Sequence, residues 1–212
     1  MDVYSQIKKK VMKSFLNAKG SHDWDHTERV QNLCMRIGRK ENADLEILKY
    51  AAVLHDIGRD YQDRSDGKYC HAERGAILAR GLLEKYEVDR DKIKEIVHCI
   101  ESHRFRGNKI PQSIEAKVLF DADKLDSIGA VGIGRAFLFA GEVGAKLHNK
   151  NVDIEQTKPY TKEDTAYREF MVKLRKVKQR ILTEEGKKIA ENRHRFMTDF
   201  FDRLKNEIDG IM

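Results

Sequence analysis

The amino-acid sequence predicts an all-α protein. Apolar residues recur every three or four positions along most of the chain, which is the period of an amphipathic helix. The 212 residues include only two prolines, and proline is the residue that interrupts helices most strongly. No stretch shows the succession of short, β-branched, turn-bounded segments that is expected of a sheet protein. The length suits one domain, or one domain with a helical appendage.

The apolar spacing places the elements of the first part of the chain. Helices are predicted over residues 2–18, 26–40, 44–58, 71–85, 91–103 and 113–127. Gly20 is expected to end the first helix, Ser21 or Asp23 to cap the second, and Asp44 to cap the third. The polar stretch 59–70 is predicted to be a loop, either an ordinary connection or a cover over a substrate.

The second part of the chain is expected to be helical around one long irregular connection. The glycines of 129–134 lack a preceding strand and the full dinucleotide fingerprint, so they are interpreted as small residues for close helix packing. Residues 136–140 are apolar and predict a core helix. Residues 141–164 are polar and irregular, as functional or mobile loops are. Two helices are predicted to finish the chain, packing onto the domain or onto the partner in a homodimer.

Charge and cysteine content limit the function classes. The net charge of +6 and the pI of about 9.1 favour anionic ligands such as phosphates and nucleotides. No basic block with interleaved aromatic residues is present, which argues against nucleic acid as a partner. Three cysteines without a C-x-x-C motif are typical of a reduced protein. The absence of a signal-like apolar segment and of a membrane-spanning run predicts a cytoplasmic protein with no membrane partner.

Three predicted helices each direct an ionisable side chain towards the core. His55 shares a helical face with Leu48, Ala51 and Ala52, and Asp56 follows it. A lone histidine in such a position is most often a hydrogen-bonded core residue. Here the oddity repeats, because His26 stands one turn before the apolar Val30.

Asp123 adds a third case, since it continues the apolar series of Ala116, Leu119 and Phe120. Carboxylates are rarely buried without a cation. Two histidines and two aspartates form a mixed nitrogen and oxygen site that suits Mn²⁺, Fe²⁺, Co²⁺, Zn²⁺ or Mg²⁺.

The segments around these residues resemble the HD superfamily of metal-dependent phosphohydrolases. The similar segments are residues 22–30 (HDWDHTERV), 54–58 (LHDIG) and 121–126 (DADKLD). The chain is most similar to the small stand-alone bacterial HD hydrolases, whose C-terminal pattern matches Phe170, Lys173, Leu174, Thr183, Ile189, Ala190 and residues 193–197 (RHRFM).

The resemblance implies a fold and a metal site. The expected architecture is an HD-domain helical bundle with C-terminal helices packed on it. It forms a single domain over residues 1–212, with a core at about 20–140 and a helical appendage at 165–212. The implied metal ligands are His26, His55, Asp56 and Asp123. Mn²⁺ is the favoured ion, and Mg²⁺, Fe²⁺, Co²⁺, Zn²⁺ and Ni²⁺ are alternatives.

Further residues are expected to contact the substrate. Lys124, beside Asp123, is the first choice for a phosphate contact, and Arg59 and Arg104 are others, with Arg106 a weaker one. His71 and His103 resemble positions that bind a second ion in two-metal members, and here they are expected to line the pocket and bind substrate.

One position departs from the branch that hydrolyses guanosine tetraphosphate. In that branch a Glu-Asp dipeptide follows the His-Asp pair at the next turn. Here His55 and Asp56 form that pair (the HD pair), and Arg59 replaces the glutamate. The departure argues against that activity and leaves Asp60 as the candidate general base.

The function predicted from these residues is hydrolysis of nucleotide phosphoanhydride or phosphoester bonds by metal-activated water. One alternative is a phosphodiesterase acting on a cyclic or linear dinucleotide. Another is a non-catalytic, metal-stabilised module that binds nucleotide or RNA.

Overall fold

The computed structural model is built from helices, and the described residues contain no strand, which confirms the all-α prediction. It describes residues 2–15, 23–65, 68–104, 109–149 and 153–212. The α-helices are α1 (Val3–Ser14), α2 (Trp24–Lys40), α3 (Leu45–Leu54), α4 (Arg59–Arg64), α5 (His71–Lys85), α6 (Arg90–Ser102), α7 (Ile114–Leu125), α8 (Gly129–Glu142), α9 (Ala166–Val172) and α10 (Glu184–Ile208). Short 3₁₀ segments cover Ile154–Gln156 and Leu174–Arg180. Gly20, Ser21 and Arg106 lie outside the described residues.

The chain divides into two compact units. The first contains the residues up to Asp123 together with Leu182–Glu185, and the second contains Lys124–Ile181 and Gly186–Met212. The single domain over residues 1–212 stays a prediction. Most of the predicted appendage at 165–212 belongs to the second unit, which also contains α8.

Within the first unit, helices α2, α3, α5 and α6 pack together. Helix α3 packs on α2 and on α6, and α5 packs on α6. Aspartates cap three of these helices, because the side chains of Asp23, Asp44 and Asp89 accept hydrogen bonds from backbone N–H groups of the first turn. Two cysteines of this unit, Cys34 and Cys99, are buried and free, which agrees with the prediction of a reduced protein.

Helix α3 is shorter than predicted. The sequence predicted one helix over 44–58, but α3 ends at Leu54 and residues 55–58 form turns. In these turns the N–H of Ile57 donates to the carbonyl oxygen of Leu54 and the N–H of Arg59 to that of Asp56. Gly58 lies so close to the backbone of α5 that a Cβ there would be 2.3 Å from the carbonyl oxygen of His71. The HD pair therefore lies at a helix end.

The polar stretch after Gly58 is partly helical, so the prediction of a loop over 59–70 was wrong for its first half. Helix α4 covers Arg59–Arg64. The sequence did not predict α4 because this helix lacks an apolar stripe. Asp60 and Arg64 form an i,i+4 ion pair of 2.8 Å along it. Helix α5 has the predicted bounds.

The segment Leu182–Glu185 belongs to the first unit and holds α7. The buried carboxylate of Asp121 accepts hydrogen bonds from the N–H of Leu182 (2.9 Å), the N–H of Thr183 (2.7 Å) and the hydroxyl of Thr183 (2.6 Å). The N–H of Glu185 donates to the carboxylate of Glu41, just beyond α2. This segment therefore ties the helix that carries Asp123 to the end of the helix that carries His26.

The second unit packs α8 and α9 with α10. Gly129 begins α8 with a φ of +78°, and the side chain of Arg193 from α10 lies against it and donates to the carbonyl oxygen of Leu125. The glycines of 129–134 thus lie at the start of a packed helix, as interpreted. The end of the chain contains α9, a 3₁₀ segment and α10 rather than two helices. No described helix has the length and apolar character that a membrane crossing requires.

Candidate metal centre

His26 lies in the first turn of α2, where the N-cap Asp23 accepts a hydrogen bond from its backbone N–H at 2.9 Å. The side chain is buried on the same face as Val30, as the spacing predicted. Its Nε2 lies 3.3 Å from Nε2 of His55 and 3.5 Å from Oδ1 of Asp123. The cap of α2 therefore helps to place a buried imidazole beside two other potential ligands.

His55 is the C-cap of α3 and is buried. Its Nδ1 lies 2.7 Å from the carbonyl oxygen of Ala52, which can only accept a hydrogen bond, so Nδ1 carries the proton. Burial lowers the pKa of His55 from its ordinary value, which favours the neutral ring. A neutral ring with the proton on Nδ1 presents the lone pair of Nε2 to the cluster.

Asp123 completes the first group. It lies near the end of α7, and its side chain is 19% exposed, whereas Ala116, Leu119 and Phe120 on the same face are buried. Ligand atoms of His26, His55 and Asp123 all lie within 4.8 Å of one another. Three elements distant in sequence thus bring potential ligands to one point.

A second group contains Asp56, His71 and His103, all of them buried. Nε2 of His71 lies 3.2 Å from Nε2 of His103. Nδ1 of His103 donates to the carbonyl oxygen of Ile100 at 2.6 Å, and Nδ1 of His71 lies 2.8 Å from Oε1 of Gln62. These contacts orient both rings with Nε2 towards the second group.

Asp56 faces both groups with different oxygens. Its Oδ2 lies 3.8 Å from Nε2 of His55 and 3.9 Å from Nε2 of His26. Its Oδ1 lies 3.5 Å from Nε2 of His71 and 3.9 Å from Nε2 of His103. The carboxylate therefore lies between the two histidine pairs. Its side chain is 2% exposed and has almost no contact with solvent.

The donor set fits divalent cations. In each pair two Nε2 atoms approach within 3.3 Å. Where both Nδ1 atoms carry the protons, as for His71 and His103, two lone pairs face each other and neither can donate. Burial lowers the pKa of His71 to about 2, which favours its neutral ring near neutral pH. A cation bound by Nε2 and carboxylate oxygen satisfies both lone pairs, and imidazole with carboxylate suits Mn²⁺ and its neighbours.

Arg59 and Arg104 lie next to the second group. One terminal nitrogen of Arg59 lies 3.3 Å from each carboxylate oxygen of Asp56. Arg104 donates to Sγ of Cys70, the residue before His71, at 3.1 Å.

The other predicted residues are placed differently. The Asp60 side chain is 59% exposed and pairs with Arg64 on the surface of α4. Lys124 follows Asp123 in α7 and is buried. Arg106, the remaining predicted phosphate contact, is not among the described residues.

Sequence reasoning missed Gln62 as the partner of His71. Its position one turn after Arg59 would have been a signal only if α4 had been recognised as a helix. It also missed that Asp56 is shared between two groups, because a spacing pattern does not say which oxygen of a carboxylate faces which neighbour.

Comparison with known proteins matches this site. Residues 23–128, half of the chain, match the HD domain family. That range contains His26, His55, Asp56, His71, His103 and Asp123.

Relatives match nearly the whole chain. YpgQ of Bacillus subtilis is 36% identical in an alignment of 211 positions that covers 97% of this chain and 94% of YpgQ. The crystal structure of YpgQ in complex with ADP has a TM-score of 0.76 at 33% identity, covering 99% of this chain and 96% of that one. An HD-superfamily hydrolase from Bacillus thuringiensis has a TM-score of 0.73 at 27% identity, covering 97% and 98% of the two chains. With the family match over half of the chain and a relative of this identity over almost all of it, the chain belongs to the HD domain family.

Proposed function

We propose that this protein is a metal-dependent phosphohydrolase that cleaves phosphoanhydride or phosphoester bonds of nucleotides. The observation that carries the proposal is the buried carboxylate of Asp56 between two pairs of histidines whose Nε2 atoms converge. A buried, acceptor-rich cluster of this kind needs a cation. The kinship with HD-superfamily hydrolases supports the same reaction class.

His26, His55, Asp56 and Asp123 hold the ion in this proposal, and Mn²⁺ is the favoured one. When bound, a divalent ion polarises a phosphoryl oxygen and lowers the pKa of water. Ala52 fixes the tautomer of His55 so that Nε2 stays available. The partly exposed Asp123 places the first group at an accessible edge, where a substrate can reach it.

The substrate contacts come from cationic side chains. Arg104 lies beside the second histidine group, and Lys124 follows Asp123, so both are proposed to hold phosphate oxygens. Asp60 as the general base stays a prediction, and one of its oxygens pairs with Arg64.

A nucleotide substrate is supported by two observations. The chain carries a net charge of +6, which favours anionic ligands. Its relative YpgQ has been crystallised in complex with ADP. A cytoplasmic location fits such a substrate and is proposed with it.

The experiment is release of phosphate and pyrophosphate from a panel of nucleotides with added Mn²⁺. The wild type is compared with Asp56→Ala and with Asp91→Ala, which removes an exposed carboxylate from α6. We expect turnover in the wild type and in Asp91→Ala, and none in Asp56→Ala. Wild-type protein that binds Mn²⁺ yet cleaves no nucleotide would overturn the proposed reaction. A binding module would instead retain ligand binding in Asp56→Ala and lose only thermal stability.

A phosphodiesterase acting on dinucleotides is the second candidate, because Asp56, His71 and His103 form a second place for an ion. Substrate binding by these two histidines is the alternative role predicted from the sequence. The number of Mn²⁺ ions bound per chain, with and without His103→Ala, separates the roles. Two ions in the wild type and one in the variant favour a second metal and the phosphodiesterase, whereas an unchanged number favours the substrate role.

A further inference from the structure

Arg59, which the sequence predicts to be a phosphate contact, also lies beside the buried carboxylate of Asp56. It begins α4, directly after the turn that contains Asp56. Its side chain is 18% exposed, whereas that of Asp56 is 2% exposed. The guanidinium therefore extends from a partly accessible position to the buried carboxylate between the two histidine pairs.

The contact between Arg59 and Asp56 is loose. One terminal nitrogen lies 3.3 Å from both Oδ1 and Oδ2. Charge-assisted hydrogen bonds of this type are about 2.7–2.9 Å long, and arginine–carboxylate pairs are frequently bidentate. The guanidinium is therefore placed as a counter-charge to Asp56 rather than fixed by a tight pair of hydrogen bonds.

The same carboxylate faces the histidines from which a metal site would be built. Oδ1, one of the two oxygens near Arg59, lies 3.5 Å from Nε2 of His71. Because Arg59 approaches both oxygens of Asp56, a divalent cation held by this carboxylate at either histidine group would bring two positive centres to it. Because like charges repel strongly where solvent screening is weak, Arg59 opposes such an ion unless an anion joins them.

We propose that Arg59 couples metal binding to phosphate binding. In the metal-free site its guanidinium neutralises Asp56, and in the loaded site it turns to an oxygen of the ligand's phosphate. Arginine suits both partners, because its planar fork of N–H donors matches carboxylate and phosphate oxygens alike. The proposal rests on the metal site proposed above but not on turnover.

The coupling has a consequence for binding equilibria. If Arg59 opposes the ion and attracts the phosphate, each ligand must tighten the binding of the other by the same factor. Linked sites commonly show factors of about 5–150. The wild type should therefore bind Mn²⁺ weakly alone and at least about fivefold more tightly with a phosphate ligand.

The test is Mn²⁺ titration of the whole chain, with free Mn²⁺ measured by electron paramagnetic resonance. Methylenediphosphonate is the probe because its P–C–P bridge resists hydrolysis, and protein-free titrations correct for its chelation of Mn²⁺. Arg59→Gln is compared with the wild type and with Arg64→Gln. The control removes the same charge from the same helix, at a side chain that is 80% exposed.

We expect Arg59→Gln to bind Mn²⁺ alone more tightly than the wild type does, and to lose most of the enhancement by methylenediphosphonate. Arg64→Gln should behave like the wild type, and Arg59→Lys, which retains the charge, should fall between the two. Wild-type values for Arg59→Gln in both titrations would overturn the proposal. Equal Mn²⁺ binding by Asp56→Ala and the wild type would instead overturn the proposed metal site.

A second measurement covers the case in which Arg59→Gln folds poorly. Without metal, Asp56 loses the guanidinium contact of Arg59 in the variant, so the Tm should fall below that of the wild type. With saturating Mn²⁺ the difference should shrink, because the ion then neutralises the carboxylate. An equal fall in Tm with and without Mn²⁺ would show a purely structural role and would overturn the coupling.

Discussion

Thr183→Val tests whether the segment Leu182–Glu185 holds α7 in place. The change removes the hydroxyl that donates to Oδ2 of Asp121 at 2.6 Å and preserves the shape of the side chain. A hydrogen bond to a charged group contributes about 1.5–3 kcal/mol. Because the N–H of Thr183 still donates to the same oxygen at 2.7 Å, the carboxylate retains a partner. We therefore expect the free energy of unfolding of the first unit to fall by about 1.5–2 kcal/mol.

The assay is urea unfolding followed by tryptophan fluorescence. Trp24 is the single tryptophan of the chain and begins α2, so its emission reports on the first unit. With an m-value of about 2 kcal/mol per molar urea, the midpoint should fall by about 0.8–1 M.

The control is Ser5→Ala, which removes a similar hydroxyl–carboxylate hydrogen bond of 3.0 Å from the surface of α1. It should change the free energy of unfolding by less than about 0.5 kcal/mol. If Thr183→Val shifts the midpoint no more than this control does, the segment does not hold α7.

Three further predictions concern the site. Gly58→Ala should lower the free energy of unfolding by about 1–3 kcal/mol, because the added Cβ would meet the carbonyl oxygen of His71. The control Gly81→Ala places its Cβ in open space and should not destabilise the protein. Equal urea midpoints for the two variants would contradict the prediction. If the second group holds an ion, Gln62→Leu, which removes the acceptor of His71 Nδ1, should weaken Mn²⁺ binding there about 10–100-fold, while Gln62→Glu retains it. Calorimetric titration measures both affinities, and unchanged affinity in Gln62→Leu would refute the role of Gln62 in orienting His71. Metal-free protein should lose stability as the pH falls below about 6.5, because burial lowers the pKa of His55 and of His71, and the unfolded chain then binds more protons than the folded one. Each histidine contributes up to about 1.4 kcal/mol per pH unit to the dependence of the free energy of unfolding on pH. His71→Gln should therefore make this dependence less steep between about pH 6.5 and 4.5, as measured by urea midpoints.

Much of the first unit could be predicted from the sequence because its helices are amphipathic. The face that contains Leu48 and Ala51 is buried together with His55, and His26 is buried on the face of Val30. The periodicity of apolar residues carries this information, because one face of each helix must be buried away from water. It therefore identified the helices that bear ionisable groups before any contact was known.

Two features could not be predicted in this way. The end of α3 at Leu54 depends on the close approach of Gly58 to α5, which is a tertiary contact with no local signal. Helix α4 has no apolar stripe, so its role in placing Arg59 and Gln62 was hidden. Both failures occur beside the metal centre, where tertiary contacts override local preference.

The sharing of Asp56 follows from this local geometry. Because α3 ends at Leu54, His55 and Asp56 lie in a turn rather than in a continuous helix. Nε2 of His55 then lies beside Nε2 of His26, while Asp56 directs one oxygen to each histidine pair. A single carboxylate therefore faces two pairs of histidine rings and one guanidinium. Any cation that binds at one group changes the charge seen by the other, so the two groups and Arg59 must respond to ligands together.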